Sequence, residues 1–244
     1  MVWTLRTFVL LAQRLGIVSQ ICRETIRHAL RKTRYTYRRV QEFTPSPDPD
    51  YQRKKRLRDF ALRIVARPGW AVLFQDETGN FAVKPRTGYN WMSGDKRKTV
   101  PEVQERQRRV GVYGVLDAAQ SQVFWKCTTS RTAETTIDFL ETVLVHYRSK
   151  KYVVIIWDNL PGHIAAATRQ WAAQWNKIAH EKGLPKVILL YLPIKAPWLN
   201  RIEPVWWGMF RAVIAGQTFG SPQEMERAID DYFLGRNERL AAAT

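Results

Sequence analysis

Lys151-Tyr-Val-Val-Ile-Ile-Trp-Asp158-Asn-Leu-Pro-Gly-His163 decides how this chain is read. An apolar, β-branched run leads into Asp158, and Pro161-Gly162 punctuates just after it. The pattern predicts a buried strand ending in a carboxylate, then a turn, then a helix. An acid at the carboxyl end of a strand in an α/β sheet stands where such folds hold their ligands. The plainer alternative is an Asp that caps the helix after it. Matching carboxylates elsewhere in the chain would decide between the two.

Two further segments supply them. Upstream, Ala71-Val-Leu-Phe-Gln-Asp76-Glu77 reads as a buried strand ending in acids. Downstream, Leu192-Pro-Ile-Lys-Ala-Pro-Trp-Leu-Asn-Arg-Ile-Glu203-Pro-Val-Trp206 carries Glu203 into the first turn of a helix expected over 199–215. Pro204 suits an early helical position. Carboxylate oxygens are what hard divalent cations prefer, and Mg²⁺ uses a few of them with water and substrate phosphate. Two such ions about 3.5–4 Å apart serve phosphodiester displacement. Asp76, Asp158 and Glu203 are the expected catalytic and metal-holding residues.

Each acid has a plainer role open to it: a turn cap at Asp76, a complement to the helix dipole at Glu203. Glu77 competes with Asp76 as the ligand, although neighbours on a strand point to opposite faces. His163 is expected beside the site rather than in it. Asn159 and Asn200 would orient ligands, contact phosphate or make turns. Trp198, Trp206 and Trp207 read as core packing.

Further strands are expected at 80–84, 89–92, 110–116, 122–127 and 187–192, and helices at 132–148, 163–181 and from Ser221-Pro222 to about Phe233. The early strands should be antiparallel and the later ones parallel through helical crossovers. That is an α/β mixed sheet flanked by helices, the ribonuclease-H-like pattern. The long basic segment between Lys84 and Arg109 should be a functional loop.

Ahead of this domain, expected over 68–235, the chain is short and basic. Thr4 caps a helix closed by Gly16, and a second helix over 23–32 shows Arg23, Arg27, Arg31 and Lys32 on one face. Helix, turn and basic second helix over 1–43 predict a helix-turn-helix segment, with a solvated helical hairpin as the alternative. Arg34, Arg38 and Arg39 continue the basic track. Residues 44–67 read as a Pro-rich linker and a basic helix capped by Asp50, where Arg53, Lys54, Lys55 and Arg56 extend a phosphate-binding surface.

Charge agrees with that assignment. The chain has 244 residues and a formal net charge of +17, of which the first 67 residues hold 16 Lys/Arg against 5 Asp/Glu. A surplus this large points to a polyanionic partner, nucleic acid first and a membrane surface second. Only Cys22 and Cys127 are present, which disfavours a disulfide framework and a zinc site. With no membrane-length apolar run and no signal peptide, a cytoplasmic protein is expected.

FQDETG (74–79), WDNLPGH (157–163) and LPIKAPWLNRIEPVW (192–206) together resemble the three signature blocks of mariner-type DDE transposases, in the bacterial insertion-sequence branch (insertion sequence 630 family). The resemblance implies a catalytic domain that cuts and rejoins element ends with two Mg²⁺ or Mn²⁺ ions held by Asp76, Asp158 and Glu203. It also implies a clamp-type loop at 84–109 and a homodimer on terminal inverted repeats and target DNA. The chain departs from the family pattern in three ways. It starts as if inside the second of two DNA-binding subdomains. Arg201 stands where the family has proline, and 44 residues separate Asp158 from Glu203, more than is usual. A DNA-binding remnant without activity and a nuclease of the same fold are the alternative functions.

Overall fold

Alternation along the central strands sets the architecture, because successive side chains leave a strand on opposite faces. A computed structural model describes residues 3–36, 45–87, 99, 108–130, 132–160, 163 and 166–242. The chain divides into a front unit, Met1–Thr44, and a larger unit, Pro45–Thr244.

The larger unit holds a five-stranded sheet built from β1 (Trp70–Ala82), β2 (Arg109–Asp117), β3 (Val123–Thr128), β4 (Tyr152–Trp157) and β5 (Lys186–Tyr191), in the order β3-β2-β1-β4-β5. The first three pair antiparallel, whereas β4 runs parallel to both β1 and β5. This is the expected ribonuclease-H-like mixed sheet.

Even-numbered residues of β1, β2 and β4 (Val72, Phe74, Val112, Val154, Ile156) build one core. That core packs against α3 (Tyr51–Arg63), α6 (Glu203–Met209) and α7 (Pro222–Ala242). Odd-numbered residues (Ala71, Leu73, Tyr113, Val115, Val153, Ile155, Trp157) build the other, against α4 (Ala133–His146) and α5 (Ala166–Ala179). In the front unit, α1 (Leu5–Arg14) and α2 (Arg23–Lys32) pack on each other. Thr4 closes a capping box with Thr7 at the start of α1. No helix among the described residues is long and apolar enough to cross a membrane.

Several sequence expectations are corrected. The strand expected at 80–84 is the end of β1, which continues through an irregularity between Gly79 and Phe81. The strand expected at 89–92, and most of the 84–109 loop, lie outside the described residues. The helix expected over 199–215 is a 3₁₀ turn (Pro197–Leu199), then α6, then a π-helical turn (Phe210–Ile214). The last helix passes Phe233 and ends at Ala242, because Phe233 is a core anchor rather than a terminus. Asp50 stands at the N-cap of α3 without a side-chain cap bond, its carboxylate taking Arg53 at 3.2 Å instead. Trp206 is buried as expected, but Trp198 and Trp207 are half or more exposed.

The expected linker also belongs, from Pro45 onward, to the larger unit. Ala61 and Ile64 on and just after α3 are buried in the core, and Asp48 is 6% exposed.

Candidate active site

Strand register brings the first two acids together. β1 and β4 pair in parallel with Phe74 opposite Ile156, so Asp76 and Asp158 each stand one pleat beyond that pair on the same face. That even-numbered face is the one α6 covers, and Glu203 is the first residue of α6. Asp76, Asp158 and Glu203 all line one cavity of about 290 Å³, with Asn159, Asn200 and the 192–197 segment.

Asp76 is held at both oxygens. Its Oδ1 accepts the backbone N–H of Glu77 at 2.8 Å, and its Oδ2 accepts the Trp206 indole N–H at 3.1 Å. The Trp206 ring fits because β2 places Gly114 opposite Asp76; a Cβ there would meet the indole at 2.2 Å. Burial first, then the charges of Glu203 and Asp158, push the Asp76 carboxyl up to about 7. Glu203 is raised too, by burial and by Asp158. Burial and neighbouring carboxylate charge raise two of the three acids, which marks a site short of positive charge.

Glu77 points to the opposite face, as strand alternation requires. Its Oε1 accepts the Thr136 hydroxyl at 3.2 Å and lies 3.2 Å from His163 Nε2. His163 Nδ1 lies 2.8 Å from Asp158 Oδ1, which also accepts the Leu160 N–H at 3.0 Å. The imidazole is 1% exposed and stacks on Trp157 with ring centroids 4.8 Å apart. Burial alone would lower its pKa, but the hydrogen bonds with Asp158 and Glu77 outweigh this and raise it to about 9. His163 is therefore an imidazolium at neutral pH that bridges Glu77 and Asp158.

The two asparagines hold backbone. Asn159 Nδ2 donates to the Leu192 carbonyl at 2.6 Å, and Asn200 Nδ2 donates to the Gln75 carbonyl at 3.3 Å. They tie the segment leading into Glu203 to the residues just after β4 and to the middle of β1, which runs on past Asp76 to Ala82 instead of ending in the acids as expected. Arg201, in the family's proline position, is exposed, while Ile202 beside it is fully buried and fixes the entry to Glu203.

The donor set is oxygen-only and mutually repulsive, which suits a hard divalent cation. The fit lies in that chemistry rather than in a closed cluster. Among the described residues, no three His, Cys, Asp or Glu side chains are already grouped closely enough to hold a metal ion.

A family model described as DDE superfamily endonuclease matches residues 71–226. This chain belongs to that family. A curated relative, the insertion element IS630 uncharacterized 39 kDa protein of Shigella sonnei, is 25% identical over 136 residues. That match covers 55% of this chain and 36% of the relative, so the DDE chain spans about a third of that protein's length. Among solved structures, the Mos1 transposase paired-end complex with left transposon end aligns with a TM-score of 0.59 at 18% identity, covering 96% of this chain and 67% of that one. The catalytic domain of Mos1 mariner transposase aligns with a TM-score of 0.50 at 16% identity, over 82% of this chain and 85% of that one. These likenesses establish a shared fold. Other Mos1 paired-end complexes were solved with Mn and with Mg.

Of the expected basic contacts, several are engaged inside this DDE chain. Lys54 pairs with Asp48 at 2.7 Å and Lys55 with Asp59 at 2.8 Å. Arg27 Nε bonds Glu24 at 2.8 Å. Arg23, Arg31, Lys32, Arg34 and Arg56 form no ion pair among the described residues, and Arg38 and Arg39 lie outside them. Sequence reasoning missed Gly114, Trp206 as a partner of Asp76, and Thr136. The signal for Gly114 was a glycine inside an apolar strand, which marks close approach by another group.

Proposed function

We propose that this chain is a transposase that cleaves DNA strands at the ends of an insertion sequence and transfers them to target DNA. The observation that carries the reading is the convergence of Asp76, Asp158 and Glu203, from three separate elements, on one cavity. Asp76, Asp158 and Glu203 would hold two Mg²⁺ or Mn²⁺ ions. When bound, such ions supply Lewis-acid activation of the attacking oxygen and stabilisation of the leaving one.

The chain's own residues do the rest. Trp206 and the Glu77 N–H fix the Asp76 carboxylate. His163 fixes Asp158 and offsets part of the acids' charge, and Asn159 and Asn200 hold the segment that presents Glu203. The basic front unit supplies phosphate contacts to double-stranded DNA. Two copies on paired ends, working at the bacterial nucleoid, complete the reading.

The test is purified protein with labelled duplex carrying the inverted repeat that flanks its gene, plus Mg²⁺ or Mn²⁺. Joined products support a transposase, cleavage alone a nuclease, and binding alone a non-catalytic DNA binder. Asp158→Asn should abolish cleavage, since the amide lacks the charge a divalent ion requires. Hydrolysis surviving that change would refute the ligand assignment.

A further inference from the structure

Ile194 is gripped on both of its backbone groups. Its N–H donates to Asp48 Oδ2 at 2.8 Å, and its carbonyl accepts the Ser46 hydroxyl. The same Asp48 oxygen takes the Lys54 ammonium at 2.7 Å, and Asp48 Oδ1 accepts the Asp50 N–H at 2.8 Å. Burial alone would raise this carboxyl, but the bonds from Lys54, Ile194 and Asp50 outweigh it and hold Asp48 below the usual carboxylate range. Residues 45–50 thus form a strap, anchored through an ionised and nearly buried acid, across a turn in the wall of the acid cavity.

The next residue in that turn is Lys195, with φ 52. A non-glycine residue in the left-handed region costs roughly 1–2 kcal/mol. Such strain persists only where the surroundings over-determine the backbone, and it clusters at functional sites. Here the surroundings are the Ser46 and Asp48 bonds to Ile194. Lys195 is also the one cation among the described residues lining the cavity with Asp76, Asp158 and Glu203. A phosphodiester entering a pocket of three carboxylates meets like charge, and an ammonium on the wall offsets it.

We propose that Lys195 contacts the phosphodiester backbone of DNA entering the acid cavity, and that Asp48, acting through Ile194, is the residue that positions it. The proposal rests on the DNA-processing reading above and adds to it a specific phosphate contact.

The deciding experiment is lysine footprinting. Wild-type protein is acetylated with N-hydroxysuccinimidyl acetate, with and without a short mixed-sequence DNA duplex and Ca²⁺, and each lysine is read by mass spectrometry. Lys195 should be protected several-fold by the duplex, and Asp48→Ala should remove that protection. Because Asp48→Ala removes a buried anchor, Lys195→Gly provides a second arm. Glycine adopts this φ freely, so the turn and the stability persist while the ammonium goes. In Mn²⁺-dependent nicking of supercoiled plasmid, Lys195→Gly should raise KM about tenfold, the scale of one charge-assisted contact, with little change in kcat, and Lys195→Arg should restore it. A lysine serving only the turn would leave Lys195→Gly silent. Equal acetylation of Lys195 in free and duplex-bound protein overturns the contact, whatever the nicking assay gives. Protection of Lys195 in a protein that never nicks keeps the contact and sinks the nuclease reading instead.

Discussion

Asp76 opposes stability at the position where the proposed function places a metal ligand. Its carboxyl is raised to about 7 by burial and by Glu203 and Asp158, so the folded chain holds that proton more tightly than the unfolded chain does. Such a group contributes its stability below the unfolded value near 4 and loses it as pH rises through about 7. His163, raised to about 9, has the same sign, and its contribution is lost as pH rises from the unfolded value near 6.5 through about 9. The metal-free protein should therefore become less stable in steps from mildly acidic to mildly alkaline pH, as followed by thermal melting. Asp76→Asn removes the first step, and at pH 8 the metal-free variant should be more stable than wild type by up to about 4 kcal/mol. It should also lose the stabilisation that Mn²⁺ gives wild type. Equal Mn²⁺ stabilisation in the variant would remove Asp76 from the ligand set.

At the scale of elements, much of the site was legible from period alone. The apolar runs before Asp76 and Asp158 announced two buried strands, while the choice between Asp76 and Glu77 stayed open in the sequence and the structure places Glu77 against Thr136 and His163 instead. What sequence could not supply was contact between distant elements. Gly114 and Trp206 are 92 positions apart, and only the sheet order shows that the first makes room for the second beside Asp76. The irregular 3₁₀, α and π path from Pro197 to Ile214 was hidden for the same reason, since tertiary packing of Ile202, Trp206 and Met209 overrides a single helical period. Gly114→Ala should cost roughly 2–3 kcal/mol in denaturant unfolding through overpacking against the indole. Trp206→Phe keeps a ring in place but removes the N–H donor, so it should raise the Asp76 pKa further while costing about 1 kcal/mol. An NMR titration of the Asp76 carboxyl checks this second outcome, and an unchanged Asp76 pKa would deny the indole its role.

For the whole molecule, the proposed function raises the question of which of its many cations would meet DNA. The net charge of +17 is concentrated towards the front, but the structure sorts those cations into two groups. Lys54 is spent on Asp48, whose side chain is 2% exposed, and its loss would strand a buried carboxylate. Arg23, Arg31, Lys32 and Arg34, on and just beyond α2, form no ion pair among the described residues and remain available to phosphate. Neutralising about six phosphates gives a slope of roughly −5 for log affinity against log salt. Arg23→Ala combined with Arg31→Ala should reduce that slope by about 2 and leave unfolding nearly unchanged, since exposed charges contribute little to stability. Lys54→Met should do the reverse, keeping the slope and costing roughly 3 kcal/mol of stability. Fluorescence anisotropy with a labelled duplex over a salt series, alongside denaturant melts, measures both quantities. A Lys54→Met protein that kept its stability while its salt slope fell would return the α3 cluster to the DNA-binding surface.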